Sequence, residues 1–386
     1  MILMELTMKS RIKTLIQAML FMFTVSAFAA PSAWNALGTR EQTLATFESE
    51  MFGRRPVERP DRLSFAQEEP DREVLGGKAV LRRVRIAYGG KWGDGSFVVT
   101  AVLPKPLKRR AAFLLINRAK PMSYLEGGDD RRRGYWPIEE IVGRGYAALS
   151  FWYGDVAPDR SYGNSKGVFE CFEDLSVQYR PKDNWGTLSA WAWGASRVMD
   201  WLETEPLVDE RRVAVVGHSR GGKAALWTGV TDTRFAMACV SGSGCCGAKL
   251  NAAELPRSEH FADIAVTFSF WFTPQFIRNV NRDKEVRFDQ HHLLALMAPR
   301  ILCVASGSED AWAGPVGEYE ACRLASPAWD AAGAKGLVSD GFPQPGEVRS
   351  GGRLVYSLHD GGHRLGPFEW KVFMDAADKN GWRENR

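Results

Sequence analysis

Val213-Ala214-Val215-Val216-Gly217-His218-Ser219-Arg220-Gly221-Gly222-Lys223 is an aliphatic run that stops on a glycine, passes through one serine and meets two more glycines before the helix-forming stretch 224–230. Four small or β-branched apolar residues in a row have the pattern of a strand buried on both faces. Glycine at 217 and at 221 is what such a strand needs to turn sharply into a helix, because a side chain there would strike the neighbouring strand or the new helix. The turn lifts the Ser219 hydroxyl above the sheet edge, and strand before with helix after gives a G-x-S-x-G segment the context of a nucleophile elbow.

Working outward, similar short runs recur at 111–116 (AAFLLI), 147–151 (AALSF), 236–240 (AMACV), 301–305 (ILCVA) and 355–358 (VYSL). Helical stretches separate them; 185–202 has apolar residues at helical spacing and ends in an acidic turn before the 213 strand, as a right-handed crossover requires. Its Trp191, Trp193 and Trp201 read as core. This alternation predicts an α/β architecture, a three-layer αβα sandwich around a mostly parallel sheet, and with the elbow it predicts the α/β-hydrolase fold. Runs at 79–88 and 97–103, the first alternating Arg with aliphatics, predict antiparallel edge strands, preceded by a polar, Pro- and Arg-rich approach through Asp71. No repeat or long linker appears, so residues 30–386 read as one catalytic domain in which 30–78 is an N-terminal extension.

The first residues have another character. Lys9, Arg11 and Lys13 precede the apolar run 15–27, which closes on Ala27-Phe28-Ala29. The run is shorter than the roughly 20 residues a bilayer span needs, so 1–29 reads as a cleaved signal peptide and the product as secreted or periplasmic. Without it the formal charge is about +2, which excludes a nucleic-acid signature; no membrane association is expected after cleavage, and a monomer is. The clusters Lys108-Arg109-Arg110 and Arg131-Arg132-Arg133 sit in polar, turn-like stretches and are assigned solvated surface. Of six cysteines, Cys239 and Cys303 lie in strand-like runs as small buried hydrophobes, while Cys245 or Cys246 could pair with Cys171 or Cys322. No zinc-ligand spacing is present, and neither a metal nor a cofactor is expected.

A serine needs a base, and the base an orienting carboxylate, in the chain order Ser, acid, His for this fold. His363, in the loop Asp360-Gly361-Gly362-His363 past the last strand, is the expected base; His359, nearer the strand end, is the structural alternative. Asp310, directly after the 301–305 strand, is the expected acid, with Glu309 its neighbouring rival. Arg220 and Lys223 put two cations in the first turn of a helix, where like charge costs about 0.3–1 kcal/mol each, and that cost suggests a use. The Arg220 backbone N–H is the expected oxyanion donor, aided by its side chain, and Lys223, one turn below Ser219, could reach polar groups of a substrate.

These residues resemble the glucuronoyl esterases, carbohydrate esterase family 15. The elbow matches the family's GxSRxGK pattern, and 153–159 (YGDVAPD), 185–193, 243–248 (SGCCGA), 270–272 (FWF), 287–291 (RFDQH) and 298–300 (APR) resemble it over most of the chain. The resemblance implies hydrolysis of the ester joining 4-O-methyl-glucuronic acid on xylan to lignin alcohols, with Ser219 as nucleophile, Arg220 on the oxyanion, Lys223 and Glu259 on sugar hydroxyls and Trp271 facing the uronate. The chain departs from the family at Gly242, where many members carry the catalytic Glu, at Cys246, which replaces a glycine, and at 249–253 (KLNAA), where arginines are usual. The alternatives are an acetyl xylan or feruloyl esterase with the same triad, or a catalytically silent carbohydrate-binding relative.

Overall fold

The aliphatic runs become the strands of one sheet. In the computed structural model, which describes residues 33–383 other than 126–129, 178, 339 and 340 and omits the side chains of 130–132, the strands are β1 (Arg62–Gln67), β2 (Arg72–Val74), β3 (Ala79–Gly89), β4 (Asp94–Pro104), β5 (Arg110–Asn117), β6 (Ala147–Trp152), β7 (Val208–His218), β8 (Met237–Ser241), β9 (Ile301–Gly307), β10 (Val348–Ser350) and β11 (Leu354–His359). The expected signal peptide, 1–29, lies outside the described residues. The spatial order is β1-β3-β4-β6-β5-β7-β8-β9-β11-β10, with β2 also paired to β3. Pairings from β6 across to β11 are parallel. Antiparallel pairings are confined to β1–β4, with the β4–β6 contact, and to β10 at the other edge.

Period-two alternation sorts the buried side chains into two layers. Ala112, Leu114 and Ile116 of β5 join the cluster that holds the helices Thr187–Leu202 and Arg220–Thr231, while Ala111, Phe113 and Leu115 join the one that holds Pro367–Lys379. Every residue of Thr187–Leu202 is buried. Its tryptophans still satisfy their indole N–H groups, Trp191 on Ala157 O at 2.9 Å and Trp193 on Val57 O at 3.0 Å, so large rings enter the core without an orphaned donor. No helix of the described residues is long and apolar enough to cross a membrane.

The N-terminal approach is more ordered than its polarity suggested. It holds a helix, Arg40–Phe47, that runs into one wide turn, Glu48–Phe52, and then β1. Phe47, Met51 and Phe52 are fully buried, and Phe52 stacks on Trp227 of the elbow helix at 4.3 Å. The extension therefore braces the helix that carries the elbow. The suggested disulfide is absent: all six cysteines are free and buried, and Cys245 and Cys246 are neighbours with sulfurs 3.8 Å apart.

Candidate active site

Ser219 stands at the junction of β7 and the helix Arg220–Thr231 with φ 58° and ψ −126°. A non-glycine residue there carries about 1–3 kcal/mol of strain, held by the surrounding structure. Its N–H donates to Ser241 O at 2.8 Å, tying the elbow to the end of β8. A Cβ on Gly217 would lie 2.0 Å from Gly221 O, and one on Gly221 3.2 Å from Ile116 O on β5. Gly222, not singled out from the sequence, is as constrained: its Cβ would fall 3.0 Å from Ser241 O. The helix begins at Arg220 rather than near Ala224, because the glycines form its first turn.

His363 and Asp310 arrive from the loops after β11 and β9, which are neighbours in the sheet. His363 Nδ1 lies 2.6 Å from Asp310 Oδ2, and the Asp310 side chain is 4% exposed. Glu309 is exposed and makes no such contact. His359 is elsewhere: 2% exposed, with Nδ1 2.6 Å from Glu369 Oε1 and Nε2 2.8 Å from Gly362 O. Burial opposes charge on that ring, but Glu369 outweighs it and holds its pKa above the ordinary value. A side chain at Gly242, φ +50°, would start 3.2 Å from the His363 ring, so that imidazole occupies the space in which a carboxylate after β8 would have to fit. His218 lies 4.4 Å from the His363 ring, and burial first, then the neighbouring imidazole, pushes its pKa well below the usual value. It stays neutral beside His363.

As first residue of its helix, Arg220 has a backbone N–H with no intrahelical acceptor. Its guanidinium donates to Asp159 Oδ2 at 2.6 Å and lies 5.0 Å from the Phe268 ring and 4.8 Å from the Trp271 ring. The same carboxylate accepts from Trp271 Nε1 at 2.8 Å and Tyr153 Oη at 3.3 Å. Trp271 was expected to face a sugar; instead it is 2% exposed, stacked flat on Phe268 at 3.9 Å with its donor committed to Asp159, and it forms the wall behind Arg220. The apolar run around it packs, as such runs do.

Lys223 and Glu259 meet as a buried pair, Nζ to Oε2 at 3.2 Å, and Lys223 also donates to Ser243 O. The other carboxylate oxygen of Glu259 accepts from Trp312 Nε1 at 3.2 Å. Trp312, two residues after Asp310, is 53% exposed, the large aromatic that the sequence reading overlooked beside this pair. Lys249 Nζ, fully buried, donates to Glu259 O at 3.0 Å and fixes the same segment. Glu318 was also missed: its Oε1 accepts from the N–H groups of Ser243 and Gly244 at 2.9 and 3.0 Å, holding the turn whose carbonyl holds Lys223, and burial raises its pKa. His291 and His292 are buried in the first turn of the helix Gln290–Ala295. Among the described residues no group of three His, Cys, Asp or Glu side chains is arranged to hold a metal ion.

A strained serine on a strand-to-helix elbow, with a carboxylate-paired imidazole brought from later strands of a mostly parallel sheet, defines an α/β-hydrolase. The chain belongs to the glucuronoyl esterase family, carbohydrate esterase family 15, and is a carboxylic ester hydrolase: the family model for glucuronyl esterase of fungi matches residues 135–333. A carbohydrate esterase, MZ0003, from an unknown prokaryotic organism is 31% identical over 366 residues, covering 88% of this chain and 83% of that protein. The 4-O-methyl-glucuronoyl methylesterase of Podospora anserina is 33% identical across 53% of this chain and 43% of its own length. The structure of a glucuronoyl esterase from Solibacter usitatus superposes with a TM-score of 0.81 at 30% identity, covering 89% of this chain and 92% of that one.

Proposed function

We propose that the protein is secreted and hydrolyses the ester between 4-O-methyl-glucuronic acid on xylan and an alcohol of lignin type. Ser219 Oγ attacks the uronoyl carbonyl while His363 takes its proton, and Asp310 holds the imidazole in the required tautomer and steadies its positive charge. The Arg220 N–H, with its guanidinium anchored by Asp159, stabilises the developing oxyanion. His363 then returns the proton to the leaving alcohol, and water resolves the acyl-enzyme by the same steps in reverse.

The observation that carries the sugar part is the Lys223–Glu259–Trp312 set. A buried cation and carboxylate, each with hydrogen-bonding capacity left over, beside a half-exposed indole suit hydroxyls on one edge of a ring and its apolar face on another. Trp312 takes the role first given to Trp271. The test is hydrolysis of benzyl glucuronate beside acetylated xylan and p-nitrophenyl acetate, with wild type and Ser219→Ala. Ser219-dependent, selective cleavage of the glucuronate is expected; preference for acetyl esters would reassign the substrate, and no cleavage of any would remove the enzymatic reading.

A further inference from the structure

A cavity of about 610 Å³ lies against His363, between the residue that follows β5 and the segment 363–369. Its walls include Arg118, Tyr135, His363, Arg364, Leu365 and Phe368. None of the sugar-side residues, Lys223, Glu259 or Trp312, lines it. What it shares with the catalytic constellation is the imidazole, and the imidazole must deliver a proton to the departing oxygen as the C–O bond breaks. A cavity walled by that ring is placed to receive the alcohol, not the acyl group.

The chemistry of the walls narrows the alcohol. Tyr135 and Leu365 are each 4% exposed and Phe368 is half-buried, which gives apolar surfaces for a flat ring. Two exposed cations, Arg118 and Arg364, also line it. The Arg118 guanidinium lies 4.6 Å from the Tyr135 ring, and Arg364 donates to a backbone carbonyl, Asp360 O, at 2.8 Å. Among the described residues neither is in a salt bridge with a carboxylate. The lining carboxylate, Glu369, is 1% exposed and 2.6 Å from His359 Nδ1, so its charge is spent inward. The cavity is thus apolar over part of its walls and uncompensated positive at Arg118 and Arg364.

We propose that this cavity is the leaving-alcohol subsite and that it selects an aryl alcohol bearing a carboxylate, with Arg118 and Arg364 as the groups that read the anion. The inference rests on the proposed glucuronate ester reaction. Guanidinium planes suit a carboxylate, and an anion docked there departs with its alcohol once the ester bond is cut, since the arginines bind it through exposed, water-screened contacts.

The experiment compares kcat/KM for three glucuronate esters on the full-length mature protein: methyl, benzyl, and the ester of 4-(hydroxymethyl)benzoate. The expected order places the carboxylated ester about tenfold above benzyl, or about 1.4 kcal/mol, with the advantage shrinking in 0.5 M salt. In Arg118→Ala/Arg364→Ala the ratio of carboxylated to benzyl ester should fall to within twofold of unity. A ratio of two substrates on one preparation is insensitive to any loss of folded protein. Cleavage of methyl and benzyl esters with no preference for the carboxylated one would overturn the subsite while leaving the reaction standing. Failure on all three glucuronates would overturn both, and an unchanged preference in the double variant would remove the arginines from it.

Discussion

Replacing Asp159 by Asn keeps the size of the side chain and removes the charge that anchors Arg220. The amide can accept on only one of its two heavy atoms, so either the guanidinium, now 2.6 Å from Oδ2, or the Trp271 indole, 2.8 Å from Oδ1, loses its acceptor. Hydrogen bonds to charged groups contribute about 1.5–3 kcal/mol. With side-chain exposures of 33% for Arg220 and 16% for Asp159, water screens part of this, which favours the lower end. An opposing effect exists, since an unpaired guanidinium presents a fuller positive charge to the oxyanion; at one-third exposure that gain is screened, while the loss of a fixed orientation is not. About 1.5 kcal/mol lost from the transition state is about a tenfold drop in kcat. Steady-state hydrolysis of benzyl glucuronate, with KM read separately and melting temperature recorded, gives the answer: kcat down about tenfold, KM within twofold, and an Arg220→Ala/Asp159→Asn pair no worse than Arg220→Ala alone. A kcat within twofold of wild type, or above it, would refute the idea that Asp159 positions Arg220 for catalysis.

Ser219→Ala and His363→Ala should each abolish turnover, while Asp310→Asn should lower kcat by about 10⁴-fold through the wrong imidazole tautomer; a near-normal Asp310→Asn rate would show that the acid is another residue. Lys223→Ala should chiefly raise KM, because a sugar contact is made equally in ground and transition states, and a pure loss of kcat would contradict that role. His292, held neutral by burial and by His291, has its pKa lowered to about 4. The unfolded chain therefore takes up a proton below about pH 6.5 that the folded chain refuses, so stability present above that pH is lost on acidification towards pH 4, by about 3 kcal/mol for this one site. Urea melts at stepped pH should show a shallower acid limb in His292→Asn, and an identical limb would rule His292 out as its source.

The elbow, the parallel strands and the loops that bring Asp310 to His363 were legible because each is written locally: an aliphatic run, a glycine pair, a carboxylate or histidine just past a strand. Strand β1 was passed over although Leu63 and Phe65 alternate with polar residues, because Arg62 and the flanking Asp61 and Pro60 dominate a short window. Asp159 entered the sequence reading only as the end of the segment 153–159, with no role; its meaning lies in Arg220 and Trp271, 61 and 112 positions away in the chain. Trp271 and Trp312 differ in burial for a related reason. Trp271 lies in an apolar run and packs, whereas Trp312 follows a polar turn and stays half-exposed, so neighbouring polarity was a local cue to burial that resemblance did not carry. The cysteines show the limit of counting: six thiols in a chain expected to be exported suggest a bridge, but whether two sulfurs meet depends on tertiary distance.

Ser219, the proposed nucleophile, sits at the end of β7 in the middle of the sheet, between its parallel neighbours β5 and β8, while His363, the proposed base, follows β11, beyond which lies only β10, three residues long. The proposed nucleophile and base thus hang one from the middle and one from near the edge of one sheet. On warming, the outer strands open at lower free energy than the centre, so the imidazole drifts from the serine while most of the molecule is still folded. Activity should fade some degrees below the main melting transition and return on cooling, and tightening the β10 edge would raise the working temperature without touching any residue that meets the substrate.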